Sequence, residues 1–84
     1  NGDFVGRQAT RFAELLEREL PGDPYRQVQS ALWRTMQRPP TASETWRGVD
    51  FMEQLRQTHG YSRHRALERF CLASLNLNEF LYLR

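Results

Sequence analysis

Arg38-Pro39-Pro40-Thr41-Ala42-Ser43-Glu44 decides how this chain folds, because it stops one helix and starts the next. Paired prolines cannot continue a helical hydrogen-bond ladder, and the residue before a proline is pushed toward extended backbone. Thr41 followed three places later by Glu44 is a capping box, in which each side chain accepts from the other residue's backbone amide. Two more breaks, Pro21-Gly22-Asp23-Pro24 and His59-Gly60-Tyr61-Ser62, leave four segments, each long enough for a helix. None alternates with a period of two, so no strand is expected.

The first segment, about Asp3 to Leu20, gathers Phe4, Val5, Ala9, Phe12, Ala13, Leu15, Leu16 and Leu20 on one side of a helix. Arg7, Arg11, Glu14, Glu17 and Arg18 take the other side, and Asn1 or Asp3 can cap the start. The second opens with Asp23 as cap and Pro24 in the first helical position. Tyr25, Val28, Ala31, Leu32 and Met36 face inward, with Trp33 at the flank. In the third, Ala42, Trp46, Val49, Met52, Leu55 and His59 form the inward arc, closed by Gly60.

The fourth segment, from Ser62, places Ala66, Leu67, Phe70, Cys71, Ala73 and Leu77 on one face, while Leu72 and Leu75 project elsewhere. A helix apolar nearly all round is a buried one, so this helix is expected at the centre. The tail from Asn78 to Leu83 is expected to restart as a short turn capped by Asn78 and to fold over the core. The pattern predicts an all-α, compact four-helix domain with short Pro/Gly connections, a single domain over residues 1–84.

Composition narrows the function classes. At 39% hydrophobic and 26% charged residues the chain is an ordinary folded domain, not a disordered tail. No apolar run, Phe70-Cys71-Leu72-Ala73 included, exceeds four residues, far short of the roughly 20 residues of a membrane helix, so no membrane insertion is expected. All twelve basic residues are Arg, but ten acidic residues are interspersed and the net charge is only +2. That balance disfavours nucleic acid as a partner. The lone Cys71 excludes an internal disulfide and any CxxC motif, and the five glycines form no phosphate loop. A start at Asn1 rather than Met suggests an excised piece of a longer protein.

Four groups of residues carry possible chemistry. His64, Glu68 and Cys71, spaced four and three apart, could jointly hold a transition metal, but a surface His and Glu beside a buried thiol is the favoured reading. No metal or other cofactor is therefore expected. Arg63, Arg65 and Arg69 begin the fourth helix as a possible polyanion contact, for which a solvated Arg face is again the better reading. Trp33 with Arg34 and Arg38 makes a second basic cluster beside an aromatic. Trp33, Trp46, Phe51, Leu72, Leu75 and Tyr82 lie at or beyond the margins of the apolar arcs, and large apolar groups there suit a protein contact. No nucleophile–base pairing is legible, because an apolar run raises the pKa of Cys71 and blunts it. Arg38 is expected to tether the Pro-Pro turn to Glu79 or the C-terminus.

Arg38-Pro39-Pro40-Thr41-x-x-Glu44, with Phe70-Cys71-Leu72-Ala73-x-Leu75-Asn76-Leu77-Asn78-Glu79-Phe80-Leu81-Tyr82 at the end, resembles the C-terminal helical portion of a planctomycete-specific domain of unknown function. Asn1-x-x-Phe4-Val5-x-x-Gln8-Ala9 is similar to the start of that portion, so the resemblance spans nearly the whole chain. It implies the C-terminal part of a large exported or periplasmic bacterial protein that also carries planctomycete-type cytochrome c domains. It implies no catalytic residues, and no haem here, since the chain has no CxxCH. A bacterial surface-protein repeat is a weaker relative that lacks the Pro-Pro turn.

The expected function is that of a non-catalytic helical docking or scaffolding module within a larger, possibly redox-associated protein. Its partner would be the rest of that protein or another subunit. Polyanion binding through the fourth-helix arginines is the second reading, and a fragment of a shared enzyme site the third.

Overall fold

The computed structural model describes the backbone of residues 2–82 and the side chains of residues 3–77. Helix α1 spans Gly2–Glu19, α2 Pro24–Met36, α3 Ala42–His59 and α4 Arg63–Tyr82. No strand occurs among the described residues, and the chain is a compact four-helix domain with a Cα radius of gyration of 12.0 Å.

Short polar side chains set the helix starts. Asp23 Oδ1 accepts from the Arg26 amide at 3.1 Å, with Pro24 in the first turn of α2. The capping box at α3 is complete: the Glu44 amide donates to Thr41 Oγ1 at 3.0 Å and the Thr41 amide to Glu44 Oε1 at 2.9 Å. Ser62 Oγ accepts from the Arg65 amide at 3.0 Å and opens α4. Gly60, at a φ of 68°, ends α3 and donates its amide to the Arg56 carbonyl. Asn1, one of the two caps expected for α1, lies outside the described residues, and Asp3 sits inside the first turn of that helix.

Two expectations about the chain path are corrected. Helix α2 does not run up to the prolines: Gln37 takes the left-handed conformation, φ 57°, and its amide returns to the Trp33 carbonyl. Pro39 and Pro40 follow that stop and keep the chain extended. Nor does a turn begin at Asn78, since α4 continues through it to Tyr82. No Pro or Gly follows Ser62, so nothing there interrupts a helix already propagating. Leu83 and the side chains from Asn78 onward, with the expected fold over the core, lie outside the described residues.

α2 and α4 each pack against all three other helices, whereas α1 and α3 do not meet. The centre is thus a helix pair rather than α4 alone. Between them Leu16, Val28, Thr45, Leu67 and Cys71 are fully buried. Gly48 explains the seating of α3. A β-carbon there would stand 2.6 Å from Val28 Cγ1 and 2.9 Å from Phe70 Cε1, so bare backbone faces α2 and α4.

That close approach rotates α3 away from the expected arc. Thr45, Gly48 and Met52 face inward, while Ala42, Trp46 and His59 are exposed. In α4, likewise, Ser74 replaces Ala73 in the interior, and Leu77 is 55% exposed. Gln27 and Thr35 are buried in α2. These polar residues can be inside because each has a nearby acceptor. Thr35 donates to the Ala31 carbonyl at 2.9 Å, Thr45 to the Thr41 carbonyl at 3.0 Å and Ser74 to the Cys71 carbonyl at 3.1 Å. Gln27 Nε2 donates to the Leu20 carbonyl at 2.9 Å and so joins the end of α1 to α2.

Candidate functional site: a cleft between the first and third helices

Because α1 and α3 do not touch, a cleft of about 640 Å³ opens between them. Its size lies within the usual range for a binding site, about 300–1,000 Å³. The floor is apolar: Val49 and Met52 come from α3, Ala66 and Leu67 from the first turns of α4. Met52, Ala66 and Leu67 are themselves core residues, and Val49 is half-buried against them.

The rim carries both signs of charge. Glu14, Glu17 and Arg18 line it from α1, Glu53 and Arg56 from α3, and Arg63 and His64 from α4. Arg56 Nη1 lies 3.5 Å from Glu53 Oε1, a loose pair on one helix, and its buried Nε has no acceptor among the described residues. Glu14, Glu17, Arg18 and Arg63 form no ion pair among the described residues. An apolar floor with an unsatisfied charged rim suits an amphipathic occupant.

The polyanion candidates do not converge. Arg63 lines the cleft, while the Arg65 guanidinium lies over the Tyr61 ring, 4.1 Å from its centroid, and Arg69 is exposed. At about 100° per residue, Arg65 and Arg69 share a helix face and Arg63 points elsewhere. His64 and Glu68 form a weak pair at 3.7 Å, but Cys71 is fully buried, its thiol pushed up to about 12 by burial and then by the Glu68 charge. Among the described residues no group of three or more His, Cys, Asp or Glu side chains is arranged to hold a metal ion.

The apolar candidates separate as well. Trp46 is 54% exposed yet packs on Tyr25 of α2, ring centroids 4.8 Å apart and planes tilted by 59°; Phe51 leans on Phe70 of α4 at 6.5 Å. Leu72 and Leu75 pack half-buried against the core, and the side chain of Tyr82 lies outside the described residues. Trp33, also 54% exposed, has no ring partner among the described residues. The partners expected for Arg38, the Glu79 side chain and the C-terminus, lie outside the described residues. Both terminal guanidinium nitrogens fork onto Glu44, at 3.1 and 2.9 Å.

No single sequence signal marks the cleft, because its four apolar floor residues read as ordinary core. What makes it is the separation of α1 from α3, a tertiary fact. No helix is long and apolar enough to cross a membrane among the described residues. Compared with known proteins, the chain matches no family model, no curated protein and no solved structure.

Proposed function

We propose that the chain is a non-catalytic helical docking module that takes an amphipathic helix of a partner protein into the cleft between α1 and α3. The observation that carries this reading is the open side of the bundle, an apolar floor bounded by charges of which Glu14, Glu17, Arg18 and Arg63 have no ion-pair partner among the described residues. A partner helix would lay apolar residues on Val49 and the edge of Met52, over a floor that Ala66 and Leu67 close from beneath, as helix-in-groove recognition does. Basic residues on its flank would face Glu14 and Glu17, and an acidic one would face Arg56. Methionine in the floor suits such a contact, since its side chain adapts to irregular shapes. A non-catalytic role is supported by the placement of Cys71, the strongest nucleophile type in the chain, inside the core. The resemblance of the RPPT turn and the terminal stretch adds the wider setting, a large exported protein with redox domains, whose own body or subunit supplies the helix.

The test is an amide-resolved NMR titration with an amphipathic peptide carrying a leucine stripe flanked by Lys and Glu, against a scrambled peptide of the same composition. Saturable shifts at Glu14–Arg18, Met52–Arg56 and Arg63–Leu67, absent with the scrambled peptide and in a Val49→Arg variant that still folds, are expected. Equal shifts with both peptides, or none with either, would overturn the reading.

A further inference from the structure

A second groove lies on the outer face of α2, away from the cleft, and its chemistry differs. Arg26, Ser30, Trp33 and Arg34 recur every three to four residues and so share one face of the helix, with Gln29 beside them. With Pro39 and Pro40 as one wall they enclose about 490 Å³. We propose that this face binds single-stranded nucleic acid, a base stacking on Trp33 while Arg26 and Arg34 hold flanking phosphates.

Trp33 is the first support. It is more than half exposed and has no ring partner among the described residues, unlike Trp46 on Tyr25 and Phe51 on Phe70. A free indole face beside guanidinium groups is a stacking platform that accepts any base. The wall opposite is held firmly. Gln37 turns the chain back, and Arg38, forked on Glu44, also donates to the Pro39 carbonyl at 3.2 Å.

Charge supplies the second support. The Arg26 guanidinium has no acceptor among the described residues; Asp23 caps the helix beneath it through the Arg26 backbone amide. Arg34 is oriented by Glu19 at 3.0 Å and by Ser30 Oγ at 3.3 Å, which leaves its Nη1 edge free. Glu19 pairs with Arg34, and no carboxylate lines the groove itself, so Arg26 is its unpaired charge among the described residues. Arg26 and Arg34 stand eight positions apart, about 12 Å along α2, with Trp33 one residue before Arg34. Charges separated along a flat-ringed ligand are the pattern of a nucleotide strand, whereas an acidic peptide brings charge without the rings. A net charge of +2 disfavours nucleic acid for the chain as a whole, but a single strand needs only this narrow track.

The experiment is fluorescence anisotropy of a labelled short oligothymidylate at low salt, with an abasic oligomer of equal phosphate number and a polyglutamate of similar length as competitors. Expected are saturable binding, loss of about tenfold in affinity for Trp33→Ala and for Arg26→Ala, both melting as the parent does, and weakening as salt rises. Equal competition by the abasic oligomer would reduce the face to a general polyanion surface. Equal competition by polyglutamate would assign it to acidic peptides. Either result, absence of binding, or unchanged affinity in both variants overturns the proposal.

Discussion

Gly48 on α3 approaches Val28 on α2 so closely that a single added methyl group would stand 2.6 Å from the valine Cγ1. Phe70 closes the same spot from α4, 2.9 Å away at Cε1. One residue without a side chain therefore sets the spacing of three helices.

Gly48→Ala is predicted to destabilise the domain. Overpacking of this kind costs about 1–3 kcal/mol, offset by the roughly 1 kcal/mol that alanine gains over glycine in a helix. Chemical denaturation should show a lower midpoint. Adding Val28→Ala should cost less in that background than in the parent, because the smaller residue relieves the contact. Simple additivity of the two changes would refute this account.

The Arg38–Glu44 fork makes the second turn acid-sensitive. Hydrogen bonding to Arg38, then to the Thr41 amide, lowers the Glu44 pKa from 4.5 to about 2. A carboxylate with a depressed folded pKa stabilises above its unfolded value and loses that contribution as pH falls from about 4.5 toward about 2. Glu44→Gln should therefore melt lower than the parent at neutral pH and converge with it near pH 2. A gap independent of pH would mean the fork contributes nothing as an ion pair.

Cys71 should be silent in the native protein. Burial raises its thiol to about 12, so almost no thiolate exists at pH 8. Ellman's reagent should react only as fast as the core opens, and readily in denaturant. Rapid stoichiometric labelling of the folded protein would show that α4 is not packed as described.

Gln27→Met is predicted to cost about 1 kcal/mol, because it removes the donor to the Leu20 carbonyl at the end of α1. Thr35→Val should cost less, since the Ala31 carbonyl it releases lies within the helix ladder. Urea unfolding of both variants decides the order, and a larger loss at Thr35 would contradict it.

Helix number and most helix boundaries were legible because local chemistry fixes them. Asp23-Pro24, Thr41 with Glu44, Gly60 and Ser62 act within one turn of the chain. The inward faces were less so. Counting apolar residues put Trp46 and His59 inside, where Thr45 and Gly48 lie, because a contact between backbones favours small residues over large ones. Buried Thr35 and Ser74 were missed for a related reason: their hydroxyls are satisfied by their own helix, which composition does not reveal. Of the candidate sites, Trp33 beside Arg34 was visible as a cluster, whereas the cleft was not. It is made by two helices failing to meet.

α1 packs mainly on α4, its most distant neighbour along the chain, and only slightly on α2. During synthesis, then, α1 emerges long before the helix on which it mainly packs exists. It must remain open on the ribosome, or be sheltered there, until α4 has been added. Of the four helices, the one made last is the one that lets the one made first pack.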